Sequence, residues 1–262
     1  MAFLGAVGDG DAELMKEILT DLAEYPKLAK VPEAALAAEL TKVAMMQVLR
    51  APFREPDWLR LFELSRLPAE WRSSAALLAL NRMIWHGETA RASVLAEVMT
   101  GFSTGGAPAG SYPEVVLLLN RARIAHDELR MDEARKWAKL AVKSAKQSGV
   151  IYPFLGKAFS PKSPLQQALA EEAPDLLAKI KALNADFFRN LVKLHNRHTG
   201  EKLVETLTPR AFYLACALKR GVRYKEIAER MGVTYSRVNN MVTELFETLN
   251  VRQAEELNGK VW

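Results

Sequence analysis

The sharpest alternation of apolar and polar positions lies at the C-terminal end of the chain. Phe212, Leu214, Ala215 and Leu218 recur at helical spacing and give one helix an apolar stripe. Thr208 stands where it can cap that helix. Pro209 takes the first helical position, where a missing N–H costs nothing, and Gly221 ends the helix. Ile227, Ala228 and Met231 predict a second, very short helix that stops at Gly232. Thr234 opens a third, with Val238, Met241, Val242, Leu245, Phe246 and Leu249 on its inward face.

Everything before Glu201 reads as helix after helix, without the alternating β-branched pattern of strands bounded by hairpin turns. Residues 122–149 are clearest: Ile124, Ala125 and Leu129, a turn at 130–132, then Ala134, Trp137, Ala138, Ala141, Val142 and Ala145. Alanines every three or four residues let two antiparallel helices approach closely, and an Asp or Gly before the second helix is expected to cap it. Residues 71–85, Gly87-Glu88 and 90–98 predict another hairpin. Gly10-Asp11 before Leu14, Ile18, Leu19 and Leu22 predicts a helix ending before Pro26, and 34–49 and 57–67 supply more helices. Residues 101–111, rich in Gly, Pro and small polar side chains, predict a mobile loop. Residues 149–164 predict an ordered crossover anchored by Phe154, Leu155 and Phe159, with a helix from Asp175 to about His195 after it.

A short helix, a glycine turn and a longer helix form a helix-turn-helix, the unit that lays its last helix in the DNA major groove. Leu207-Thr208 with Arg210, Gly221, Lys225-Glu226-Ile227-Ala228, Met231, Val233-Thr234, Val238, Leu249 and Val251 match a known pattern in register. Residues 207–254 thereby resemble the DNA-binding domain of the LuxR/FixJ-type bacterial transcription regulators. Departures are Ala211 for the family's Glu, Arg237-Val238-Asn239-Asn240-Met241 for Thr-Val-Lys-x-His, and Thr248 for Lys. The resemblance implies a four-helix, winged-less domain that binds double-stranded DNA. Residues 251–257 resemble the family's fourth helix, which dimerises, so a homodimer on an imperfect palindrome is expected.

In this reading 234–249 enters the major groove, and Tyr235, Ser236, Arg237, Asn239 and Asn240 project toward base edges. Arg237 suits guanine and an Asn suits adenine. Arg223, Tyr224, Lys225 and Thr234 hold phosphates and fix orientation. The cation that the family carries at the place of Asn239 has moved to Arg237, about half a turn away. Residues 234–249 hold one basic side chain against Glu244 and Glu247, and 201–262 hold ten Lys/Arg against eight Glu, a net of +2. Arg210, Lys219, Arg220, Arg223, Lys225 and Arg230, in or beside the first two helices, are expected to compensate. Charge this modest implies modest nonspecific affinity, hence a dimer for specific binding.

At 262 residues, with 49% hydrophobic and 26% charged side chains, the chain has the composition of an ordinary globular protein of one or two domains. A net charge of +5 is compatible with a nucleic-acid partner. A single cysteine, Cys216, excludes an internal disulfide framework, suits a reducing cytoplasm and is expected as a small buried side chain. Residues 1–5 put no cationic segment before their apolar run, and runs 75–80 and 115–119 are too short to span a bilayer. A cytoplasmic protein without membrane contact is expected. No nucleophile stands beside a base, no carboxylates pair recognisably, and no glycine-rich loop joins strand to helix, so no enzyme and no cofactor are expected. Gly156-Lys157 is followed by Ala158 and is no phosphate loop. His195 and His198 read as solvated residues rather than a metal pair, and His86 and His126 as caps or surface groups.

Residues 122–149 also resemble a tetratricopeptide-type hairpin, with Ala134, Ala138 and Ala141 at its small-residue positions. Such hairpins stack into a curved solenoid. Residues 149–155, directly after it, resemble the sensor-to-DNA-binding region of MalT-like regulators, without the large ATP-hydrolysing domain usual there. The resemblance implies repeats that detect a small-molecule or protein effector and a terminal domain that acts on promoters. The fold expected is therefore all-α: a tetratricopeptide-like domain over 1–164, a connecting helical region over 165–200 and the LuxR-type domain over 201–262. Trp58, Trp71, Trp85 and Trp137, with Met45, Met46, Met83 and Met99, are expected in core packing, with an apolar effector pocket as the sharper alternative. Arg121, Arg123, Arg130, Arg135, Lys136, Lys139, Lys143 and Lys146 are expected on a solvated face. The competing function is an anti-activator or adaptor whose helix-turn-helix no longer reads DNA.

Overall fold

The computed structural model describes residues 32–49, 53–103, 110–155, 163–191 and 207–259, with single positions between 6 and 24. It is all-helical, with no strand among the described residues. In chain order the helices are α1 (Pro32–Leu49), α2 (Asp57–Arg60), α3 (Ala69–His86), α4 (Thr89–Ser103), α5 (Tyr112–Asp127), α6 (Met131–Ser148), α7 (Pro164–Glu172), α8 (Pro174–Leu191), α9 (Pro209–Lys219), α10 (Tyr224–Met231) and α11 (Tyr235–Leu249). Three 3-10 turns, Leu64–Arg66, Tyr152–Phe154 and Ala254–Gly259, punctuate them.

From α3 to α8 each helix packs on the next, and α3 on α5 and α5 on α7 as well. Left-handed glycines make the sharp reversals possible: α3 ends at Gly87 (φ 74°) and α6 at Gly149 (φ 71°). In the α5–α6 hairpin, Ala138, Ala141 and Ala145 lie fully buried against Val115, Leu119 and Ala122. Phe154, Ala168, Leu169, Leu177 and Ile180 extend the same core, so α7 and the start of α8 lie on the hairpin. A second core under α3, α4 and α5 holds Leu80, Met83, Ala92, Ala96, Leu117 and Ile124. A third, under α1 to α3, holds Val43, Trp58, Leu59, Leu67, Ala75 and Ala79.

A buried polar ladder crosses these layers. Asn120 Nδ2 donates to Asn81 Oδ1 (2.8 Å), Asn81 Nδ2 to Gln47 Oε1 (3.2 Å), and Gln47 Nε2 to the carbonyl of Leu78 (2.9 Å). Each buried amide left unpaired would cost about 1–3 kcal/mol, so the ladder favours one register of α1, α3 and α5 over a slipped one.

Several expectations are corrected. Leu129 is no core residue: it takes φ 61° in the α5–α6 turn and is 75% exposed. Arg130 rather than an Asp or Gly precedes α6, with Asp132 inside its first turn, where a carboxylate favours the helix dipole. Residues 57–67 are not one helix, because Phe62 (φ 58°) breaks them into α2 and a 3-10 turn. The supposed loop is helical up to Ser103. At its far end Gly110 is buried at φ 84°, and its N–H donates to Glu114 Oε2. A Cβ on Gly110 would stand 2.7 Å from that of Ser148.

Phe154 is the buried anchor expected of the crossover. Asp11 accepts from the N–H of Leu14 (3.0 Å), as a helix cap does. Leu19, Leu22, Pro26, residues 104–109, Phe159, the Gly156-Lys157 pair, His195 and His198 lie outside the described residues. The tryptophans and methionines do not converge on one pocket. Trp58 and Met83 sit in separate cores, Met99 packs on the second core, Met46 and Trp85 pack toward the C-terminal helices, and Trp137 lines a polar cleft. No described helix is long and apolar enough to cross a membrane.

Candidate nucleic-acid interface

Local chemistry builds the C-terminal helices in three steps. Thr208 Oγ1 accepts from the N–H of Ala211 (3.1 Å), and α9 buries Phe212, Leu214, Ala215 and Leu218. Gly221 (φ 70°) turns the chain, and the N–H of Val222 closes back onto the carbonyl of Ala217 (3.0 Å). The short α10 buries Ile227 and Ala228 and ends at Gly232 (φ 65°). Thr234 Oγ1 accepts from the N–H of Arg237 (3.2 Å), starting α11. Val238, Val242, Leu245 and Leu249 turn inward, Met241 and Phe246 pack beside them, and Asn250 (φ 50°) stops the helix. Leu257 completes the core from the last 3-10 turn.

The opposite face of α11 is open. Tyr235, Ser236, Arg237, Asn239 and Asn240 are all exposed on its first turns, as is the capping Thr234. Arg223 and Lys225 are exposed at the start of α10, where Tyr224 sets its ring 6.1 Å from that of Tyr235. This ring contact brings the starts of α10 and α11 side by side. Tyr224, expected at phosphates, and Tyr235, expected at base edges, are thus neighbours. Glu244 and Glu247 are exposed on the later turns of α11, so positive charge is confined to its N-terminal end.

Three of the six compensating cations are committed elsewhere. Arg220 donates its Nε to the carbonyl of Cys216 (3.1 Å) and faces Asp127 at 4.0 Å. Arg230 pairs with Glu226 and hydrogen-bonds to Tyr213. Burial pulls the Lys219 ammonium below the usual lysine range, against the attraction of Cys216 and Glu55. Arg210, Arg223 and Lys225 remain exposed. The expected fourth helix is instead the six-residue 3-10 turn Ala254–Gly259, with Leu257 facing inward and Glu255 and Glu256 outward. Cys216 is buried, as expected of a small packing residue.

The far side of α9 is docked on α3 and α5, which local periodicity did not foretell. Trp85 meets Phe212 edge-on, with ring centroids 5.1 Å apart. The Arg123 guanidinium lies 5.0 Å over Tyr213 and gives its Nε to both oxygens of Asp127 (3.0 and 2.9 Å). His126 Nδ1 stands 3.5 Å from the same carboxylate. Burial raises the Asp127 pKa, but the charge of Arg123, hydrogen bonds from His126 and Arg123 and the charge of Arg220 outweigh it. The carboxyl is thus held well below its ordinary range. Beside it Gly87 gives Arg220 room: a Cβ there would stand 2.6 Å from Arg220 Cδ. Glu55 shows the same balance, with burial opposing and the nearby His86 ring (3.4 Å) and the Arg82 guanidinium (2.8 Å) prevailing to lower its pKa. His86 and His126, in the last turns of α3 and α5, are half-buried and each faces a carboxylate.

Half of the basic series of α5 and α6 is paired within the fold. Arg123 pairs with Asp127, Arg130 with Glu128 and Glu133, Arg135 with Asp132, and Lys139 with Glu171 and Glu172. No group of three metal-ligating side chains is assembled among the described residues. Comparison with protein-family models, with curated proteins and with solved structures found no match to the chain.

Proposed function

We propose that this protein is a sequence-specific DNA-binding transcription regulator of the LuxR type, with tetratricopeptide-like repeats before the DNA-binding helices. One observation carries the reading. Helix α11 buries Val238, Val242, Leu245 and Leu249 while Tyr235, Ser236, Arg237, Asn239 and Asn240 stand exposed on its first turns. A helix held by one face, capped by Thr234 and preceded by a left-handed glycine turn, is built to offer its N-terminal turns to a major groove. Arg237 reads guanine and an Asn reads adenine. Arg223, Tyr224, Lys225 and Thr234 grip phosphates. Two copies on one duplex would supply the phosphate contacts that one copy lacks.

Selection of a random duplex library on the protein, beside Arg237→Ala and Lys225→Ala, tests this. A two-fold motif that blurs at one position with Arg237→Ala, at a cost of about 1–3 kcal/mol, is expected. Lys225→Ala is expected to weaken all sequences and to flatten the salt slope. Equal losses on every sequence for Arg237→Ala would refute its role. The second reading, a protein-binding module in which the helices no longer read DNA, is favoured by the commitment of Lys219, Arg220 and Arg230 to partners inside the protein. It predicts no enriched sequence and no steep salt dependence.

A further inference from the structure

Helices α4, α5 and α6 border an open cleft of about 230 Å³, whose lining includes Glu97, Arg121, Ile124, Arg130, Glu133 and Trp137. One wall is spent on itself. Trp137 Nε1 donates to Glu133 Oε1 (3.1 Å), and Arg130 pairs with Glu133 and Glu128. The Arg121 guanidinium is arranged differently. Its Cζ stands 3.7 Å over the centroid of the Trp137 ring, and its Nη1 donates to a neutral hydroxyl, Thr100 Oγ1, at 2.8 Å. A guanidinium carries five N–H donors in a rigid fork, and a planar carboxylate is the group that fits it. Burial lowers the Arg121 pKa, against the attraction of Glu97, so this cation has lost part of its water and gains from an anion brought to it.

Glu97 supplies the opposite sign. It is exposed on α4 at the rim, within electrostatic reach of Arg121. A plain carboxylate ligand would be attracted by Arg121 and repelled by Glu97, and a plain amine the reverse. Only a molecule with both charges close together satisfies both groups. The cleft is smaller than the roughly 300–1,000 Å³ usual for drug-sized ligands, which restricts it to a small solute.

We propose that this cleft binds a small zwitterion of the α-amino-acid class, its carboxylate on the Arg121 fork and its ammonium on Glu97. This site stands independently of the DNA-binding reading and survives its failure. The test is isothermal titration of the full chain with each common L-amino acid, and with acetate and methylammonium as single-charge probes. Saturable heat from at least one amino acid is expected, with acetate and methylammonium each at least about ten-fold weaker. Arg121→Gln and Arg121→Lys are each expected to weaken binding by about ten-fold or more, the second because it keeps the charge and loses the fork. Glu97→Gln, at an exposed position, is expected to weaken the amino acid and to leave acetate no weaker. No heat from any amino acid at ~10 mM would overturn the proposal, as would acetate binding as tightly as the amino acid. Unchanged affinity in Glu97→Gln would overturn it too, and that result stands even if the Arg121 variants fail to fold.

Discussion

Replacing Asp127 with Asn preserves shape and removes the one negative charge that Arg123, His126 and Arg220 all face. The Asp127 side chain is 9% exposed, against 16% for Arg220 and 38% for Arg123. Breaking a fully buried pair costs about 3–5 kcal/mol, because the surviving charge is left without compensation. An exposed pair is worth about 0–1 kcal/mol. Here Arg123 is more than a third exposed and water screens it, while Arg220 is half-buried and sits 4.0 Å away. The cost of Asp127→Asn should therefore fall between the two limits, at about 2–3 kcal/mol. Urea unfolding followed by circular dichroism measures it: at a slope of about 1–3 kcal/mol/M, the midpoint should fall by about 1 M or more. A double-mutant cycle with Arg220→Met should show coupling above about 0.5 kcal/mol. A single-variant loss under about 0.5 kcal/mol, or strict additivity, would refute the view that this carboxylate ties α9 to α5.

Acid should loosen the same junction. Asp127 and Glu55 both have folded pKa values below their ordinary 3.8 and 4.5, so the unfolded chain takes up protons first as pH falls. Their contribution is complete above those ordinary values and is lost as pH drops through the lower folded ones. Urea midpoints across an acid series check this, and Asp127→Asn should flatten the fall. Thr234→Ala removes the cap on α11 and should cost about 1 kcal/mol, largely restored by Thr234→Ser, read from thermal unfolding. Gly232→Ala forces a side chain into φ 65° and should cost about 1–2 kcal/mol in the same assay. Leu249→Ala, at a fully buried position, should cost about 2–5 kcal/mol.

The C-terminal helices were legible because their signals are local. Thr208 and Thr234 cap, Gly221 and Gly232 turn, and the apolar residues of α11 recur at one period. Each of these acts within about one helical turn of itself. The same holds for Ala138, Ala141 and Ala145, whose small size and spacing announce a close helix pair. Leu129 failed because a hydrophobic residue in a turn looks, to periodicity, like one more turn of helix. The need for a left-handed residue before Arg130 prevailed over burial, and 75% of the leucine was left exposed.

Side-chain partners were not legible, because they depend on contacts between residues far apart in sequence. Arg220 and Lys219 sit in a basic run beside Arg223 and Lys225, and nothing in their own neighbourhood separates the four. Gly87 and Asp127 separate them: one leaves space for the Arg220 stem, and the other offers a carboxylate to its head. Half of the cations counted toward phosphate therefore belong to the fold. On the proposed reading, the cations left for phosphate are Arg223 and Lys225, with Arg210 exposed at the start of α9 and Arg237 given to a base. So few cationic phosphate contacts predict a shallow salt slope for one copy. A steep slope, measured against protein concentration, would require a second copy on the same duplex.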